Sequence, residues 1–181
     1  MNNLSLYILD IVQNSINAKC DTVNLELTIN NDLRLITIII IDNGKGIKEE
    51  DLDKIFDPFY TSNPNKKIGL GLSLFKELCD LCDGDLNITS KPNVGTKVEA
   101  HLSLDSLDLP PIGDISDTVC SIILNDSDVD VNFKYIIDNK TFYVSPIEIK
   151  KVLGEIAINQ PNIIAWLKKY ISEGIKSLEY N

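Results

Sequence analysis

The chain has 181 residues, 44% hydrophobic and 24% charged, the composition of an ordinary folded protein with one sizeable core. Its 17 basic and 27 acidic side chains leave a net charge of −10, which argues against nucleic acid as a partner because phosphate backbones require clustered Lys and Arg. Residues 1–104 hold 10 basic and 15 acidic side chains and the remainder 7 and 12, so neither part hides a basic face.

No run reaches the roughly 18 apolar residues of a membrane span, and Met1-Asn2-Asn3 lacks the basic region of a secretory signal. A cytoplasmic protein without a membrane partner is expected. The first element is a helix over about residues 3–18, in which Leu4, Tyr7, Ile8, Ile11, Val12, Ser15 and Ile16 follow the spacing of a core-facing stripe. Beside it Asp10, Asn14 and Asn17 share one narrow polar face. Such a face is usually only solvated. Lys and Glu serve that purpose better, whereas Asp and Asn are poor helix formers, so the composition favours a site.

Val23, Leu25, Leu27 and Ile29 alternate with polar residues as in a half-buried strand, and Asn30-Asn31-Asp32 is a turn. Leu33–Ile41 is the next strand, and its four consecutive isoleucines, Ile38 to Ile41, read as buried. It ends in Asp42-Asn43-Gly44-Lys45-Gly46-Ile47. Two glycines let the backbone turn tightly or approach a ligand closely, and an aspartate at the rim of that turn is placed to accept a hydrogen bond. Asn-Gly is also the commonest hairpin turn, so the motif alone is weak.

A short acidic helix is expected over 48–55, followed by Phe56-Asp57-Pro58-Phe59-Tyr60-Thr61-Ser62. The aperiodic Asn63-Pro64-Asn65-Lys66-Lys67 reads as a mobile surface loop. Gly69-Leu70-Gly71-Leu72-Ser73 opens a helix to about Asp83, with Gly84 as its stop. Glycine is costly at a helix start, and bare N–H groups at the positive end of the helix dipole bind phosphate; a strained packing turn is the alternative. Cys79 and Cys82 have no second pair and the only histidine is His101, so they read as small apolar residues and not as a metal or redox centre.

Strands at 85–90 and 96–104 flank a turn at Pro92–Gly95. His101 alternates away from Val98, Ala100 and Leu102. Residues 105–113, with Pro110-Pro111, read as an extended linker. Beyond it a helix capped by Asp114 or Ser116 runs to about Leu124, a hairpin joins Val129–Tyr135 to Thr141–Val144, and Ser145-Pro146-Ile147-Glu148 has the order of an N-cap, a first-turn proline and a capping-box acid. A last helix lies around Trp166. No catalytic pattern appears there, and residues 114–181 read as a small α+β appendage.

The order of the Asn14 helix, Asp42-x-Gly-x-Gly, Phe56-x-Pro-Phe, Gly69-x-Gly-Leu and Gly95-Thr96 resembles the GHKL superfamily, the ATP-binding domain of histidine kinases, anti-sigma-factor kinases, DNA gyrase and mismatch-repair ATPases. The resemblance covers residues 1–104. It implies a two-layer α/β sandwich of the Bergerat type, helices over a mixed, mostly antiparallel sheet, with ATP and Mg²⁺ as cofactors and residues 56–68 as an ATP lid. It implies further that Asn14 is a Mg²⁺ ligand and that Asp42 accepts the adenine amino hydrogen, with Gly44 and Gly46 lying against base and ribose and Thr96 near the adenine edge. Gly69 and Gly71 would cradle phosphate, Lys66 and Lys67 would neutralise it, and Ile47, Phe59, Leu70 and Leu72 would complete the nucleotide contacts.

Two departures shape the functional expectation. Members that hydrolyse ATP commonly carry glutamate four residues before the magnesium asparagine; here that position is Asp10, the candidate catalytic base, one methylene shorter. The histidine kinases also carry a phosphoacceptor histidine on a helical hairpin ahead of this domain, whereas here the motif helix begins at residue 3. The expectation is a nucleotide-dependent signalling module acting on an unidentified protein partner, with a kinase acting in trans and a non-catalytic scaffold as alternatives and the oligomeric state open.

Overall fold

The computed structural model describes residues 3–57, 70–126 and 128–179. Phe59, Lys66, Lys67, Gly69 and nearly all of the expected lid lie outside the described residues. Six strands, β1 (Thr22–Asn30), β2 (Leu35–Asp42), β3 (Asp85–Lys91), β4 (Gly95–Ser103), β5 (Asp130–Ile137) and β6 (Lys140–Val144), form one sheet in the order β3-β4-β2-β1-β5-β6. All neighbouring pairs are antiparallel except β1 with β5. The helices are α1 (Leu4–Asn17), α2 (Glu49–Leu52), α3 (Leu70–Leu81), α4 (Ile115–Asn125), α5 (Pro146–Leu153) and α6 (Pro161–Glu179). In the helix layer α1 lies between α3 and α4, and α4 beside α6. This is the expected mixed two-layer sandwich.

Among the described residues the sheet is covered on one face only, and that decides which residues of each strand are buried. Val23, Leu25 and Leu27 of β1, Ile36, Ile38 and Ile40 of β2, Val98, Ala100 and Leu102 of β4, and Val131, Phe133 and Tyr135 of β5 all point into the core. The isoleucine run therefore splits: Ile38 and Ile40 are 1% exposed while Ile41 is 40% exposed. The other face carries cross-strand polar pairs, among them Glu26 with Lys134 at 3.0 Å and Asp85 with His101 at 2.6 Å.

The C-terminal segment has the expected helix, hairpin and further helices, but it does not stand apart. β5 runs parallel beside β1 from Thr22↔Asp130 to Ile29↔Ile137, and Phe133, Val119, Leu167 and Ile171 belong to the same core cluster as Ile8 and Ile38. The presumed linker is also tied down. The N–H groups of Leu4 and Ser5, which a helix start leaves without partners, donate to the carbonyls of Pro111 and Ile112 at 3.0 and 2.8 Å, while Asn3 caps the same turn by accepting the Leu6 N–H at 3.1 Å.

Three local expectations differ from the structure. The acidic helix after the glycine turn is only the four residues Glu49–Leu52. Ser145 stands at the N-cap of α5 with Pro146 in the first turn, but its side chain makes no capping hydrogen bond. At the end of α3 the left-handed residue is Asp83, at φ 53°, and not Gly84. Gly84 is needed because a Cβ there would overlap the His101 carbonyl, and its N–H closes the helix on the Cys79 carbonyl at 2.9 Å.

Phe133 is fully buried at the centre of the β1–β5 pairing, so Phe133→Ala should lower stability by about 3–5 kcal/mol. Urea unfolding followed by Trp166 fluorescence and by far-UV circular dichroism should give coincident transitions in both parent and variant. Separate transitions would show that the C-terminal segment folds as its own unit.

Candidate functional site

Asp42 is the last residue of β2 and only 8% exposed. A buried carboxylate is costly unless donors surround it, and among the described residues Asp42 has three. Its Oδ1 accepts the N–H of Gly44 at 2.9 Å and that of Thr96 at 3.2 Å, and its Oδ2 accepts the hydroxyl of Ser15 at 2.7 Å. These come from the turn after β2, from β4 and from α1. Thr96 is the register partner of Asp42, which is why its N–H points there.

The glycines owe their places mainly to close approaches within the chain. Gly95 has φ 136°, and a Cβ there would overlap the Asp42 carbonyl, so β4 begins beside Asp42 only because residue 95 lacks a side chain. Gly46 has φ 66°, and its missing Cβ would overlap the Lys91 carbonyl in the β3–β4 turn. That contact is closed by the Asn93 N–H on the Lys45 carbonyl at 2.8 Å. At Gly44 a Cβ would lie 2.9 Å from the Ala18 carbonyl.

Ser90, at the far end of β3, ties these loops together. Its hydroxyl oxygen accepts the Ile47 N–H at 2.8 Å and lies 2.9 Å from both the Gly95 carbonyl and Thr96 Oγ1. Neither Ser15 nor Ser90 was singled out by its sequence context. A serine in a core-facing helical stripe was the one signal available, because a hydroxyl there needs a partner.

Along α1 the polar stripe lies on the accessible side: Asn14 and Asn17 are exposed and Asp10 is half-buried. α1 and α3 pack through Tyr7 and Phe75, whose rings stack at 5.3 Å. That packing sets Asp10 directly against the first turn of α3, where a Cβ on Gly71 would overlap its Oδ2. Leu70 is 47% exposed and Leu72 half-buried. Asp42, Gly44 and Thr96 are thus joined to α1 through Ser15, and Gly71 is joined to it through Asp10. Gly46 and Ile47 frame the loop beside them.

The concave regions seen elsewhere do not coincide with this cluster. One of about 370 Å³ lies at Ile29, Asp138 and Lys140, and an apolar one of about 320 Å³ lies between β6, α5 and α6, lined by Tyr143, Val152, Trp166 and Tyr170. Among the described residues no group of three or more His, Cys, Asp or Glu could hold a metal ion.

Cys79 and Cys82 are fully buried and unpaired. Burial, with the neighbouring Cys82 and Asp80 adding to it, pushes the Cys79 thiol up to about 12. Burial likewise raises Cys20 and Cys120 to about 11 and Cys82 upward. The reactive form of a cysteine is the thiolate. All four free thiols should therefore stay unmodified by a chromogenic disulfide reagent in the folded protein at mildly alkaline pH and react in urea. Fast modification of Cys79 or Cys82 in the native state would restore a redox role.

Residues 2–106 match the family model described as histidine kinase-, DNA gyrase B- and HSP90-like ATPase. The chain is similar to the autoinducer 2 sensor kinase/phosphatase LuxQ of Vibrio cholerae, 32% identical over 93 residues, which is 49% of this chain and 11% of that protein. It is also similar to sporulation kinase D of Bacillus subtilis, 32% identical over 55% of this chain and 19% of the kinase, and to the sensor protein RprX of Bacteroides fragilis, 37% identical over 54% and 20%. It thus spans about a fifth or less of each of these three proteins. A crystal structure of the N-terminal domain of a DNA repair protein shares the fold at TM-score 0.58 and 17% identity, over 87% of this chain and 59% of that one.

Proposed function

Because the chain belongs to the histidine kinase-, DNA gyrase B- and HSP90-like ATPase family, we propose that it binds ATP with Mg²⁺ and works as a nucleotide-dependent regulatory module on a protein partner. The observation that carries this reading is Asp42. Its three donors occupy three of the roughly four lone-pair positions of a carboxylate, and what remains is an acceptor suited to the exocyclic amino group of adenine. Guanine presents a carbonyl at that place.

The other groups fit the rest of a nucleotide. The amide oxygen of Asn14, exposed on α1, is the hard donor that Mg²⁺ takes beside water and phosphate oxygens. Gly71 stands in the first turn of α3, where bare N–H groups and the helix dipole favour phosphate. Between the base end at Ser15 and the phosphate end at Asp10 lies about 7.5 Å of helical rise along α1. ATP would bring the transferable phosphoryl group and Mg²⁺ the neutralising charge. Asp10 would be the base that takes the proton of the attacking group.

A second reading is transfer of that phosphoryl group to a side chain of the partner. Asp10 favours it as much as hydrolysis, because a carboxylate packed on the first turn of α3 can deprotonate a partner's hydroxyl as readily as water. The kinase names of LuxQ and sporulation kinase D point the same way.

Calorimetry of the full chain with Mg²⁺ should show ATP bound more tightly than GTP by about 1–3 kcal/mol, the cost of leaving a buried polar group unpaired. Asp42→Ala should abolish most of the ATP affinity, and equal affinities for ATP and GTP in the parent would overturn the reading.

Asp10 separates turnover from binding. Asp10→Asn should abolish phosphate release or transfer while ATP affinity stays within a few-fold, because a base acts mainly in the transition state. Intrinsic hydrolysis should be slow, below roughly 1 s⁻¹, and rise when the partner is present. A variant as fast as the parent would remove Asp10 from the chemistry and leave a pure nucleotide switch.

A further inference from the structure

We propose that Ser15 sets the base selectivity of this site, as a positioning residue that acts through the Asp42 carboxylate; the proposal rests on the nucleotide reading above. Ser15 is 5% exposed on the buried side of α1, next in sequence to the exposed Asn14. Its hydroxyl has a single proton and two acceptors in range, the Ile11 carbonyl at 3.4 Å and Asp42 Oδ2 at 2.7 Å. A short bond to a carboxylate oxygen is the stronger of the two, so the proton goes to Asp42.

Two consequences follow for the shape of the acceptor. The N–H groups of Gly44 and Thr96 both hold Oδ1, which anchors one oxygen and leaves the carboxylate free to pivot about it. Ser15 pins the other oxygen and so fixes the plane in which its vacant lone pair lies. With its proton committed to Asp42, Ser15 also shows only lone pairs to its surroundings. The edge formed by Asp42 Oδ2 and Ser15 Oγ is therefore acceptor-only: it welcomes an amino group and repels a carbonyl. Removing the Ser15 hydroxyl leaves room for a water on Oδ2, and a water can turn a hydrogen toward a carbonyl.

Inosine triphosphate is the discriminating probe, because its base differs from that of ATP in carrying a 6-oxo group in place of the 6-amino group, with a hydrogen on the adjacent N1. Dissociation constants for ATP and inosine triphosphate with Mg²⁺ would be measured by calorimetry on the 181-residue parent, Ser15→Ala, Ser15→Thr and Asp42→Asn, with thermal melts to verify that each is folded. Ser15→Ala is expected to weaken ATP roughly tenfold and to narrow the preference for ATP over inosine triphosphate by a similar factor. Ser15→Thr, which keeps the hydroxyl, should retain the parental ratio. A merely structural serine would weaken both nucleotides alike, so a parental ratio in Ser15→Ala overturns the proposal while leaving ATP binding intact as a reading. If the parent does not distinguish the two nucleotides, or Asp42→Asn leaves the ratio unmoved, the nucleotide reading itself fails and the proposal falls with it.

Discussion

The arrangement depends on one buried carboxylate. Asp42 closes β2 at 8% exposure, and a charge placed there is tolerable only if donors converge on it. They come from parts of the chain far apart in sequence: Ser15 on α1, Gly44 in the next turn, and Thr96 on β4. Satisfying this side chain therefore requires α1 to lie across the end of the sheet, the glycine turn to curl back, and β4 to start opposite β2. A strand that ends in an apolar residue at this point would make none of those demands.

Much of the site is built from missing atoms. Gly95 lets β4 touch the Asp42 backbone, Gly46 lets the turn rest on the β3–β4 loop, and Gly71 leaves the space that Asp10 fills. Ser90 then connects Ile47, Gly95 and Thr96 by its single hydroxyl. Close backbone approach is what glycine permits and other residues forbid. The family resemblance assigns Gly46 and Gly71 to ligand contact, whereas Gly46 is already required by the protein's own packing against the Lys91 carbonyl.

The second determinant is the parallel pairing of β5 with β1. It places a strand from beyond residue 113 inside the sheet, between β1 and the edge strand β6, supplies Phe133 and Tyr135 to the core, and gives α4 a place beside α1. The docking of Pro111 and Ile112 on the first turn of α1 belongs to the same arrangement. The helix that carries Asp10, Asn14 and Ser15 is thus held at its start by the segment leading into α4. The C-terminal part is therefore packed directly against the helix that carries these residues.

What the sequence determined by itself was local. Periodicity located α1 and β1, because apolar spacing is imposed by burial on one face. The order of motifs identified the family and the two-layer sandwich, and the odd choice of Asp and Asn on α1 made Asp10 and Asn14 candidates for the site. Tertiary structure decided the rest. Four isoleucines in a row could not reveal that only one sheet face is covered. Nothing in residues 114–181 announced that their hairpin would join β1, since a parallel partner distant in sequence leaves no local trace. Ser15 looked like one more position in a core stripe. Only when β2 delivers Asp42 to within 2.7 Å of its hydroxyl does it become part of the site, because a hydrogen bond between residues distant in sequence exists only once the chain has folded.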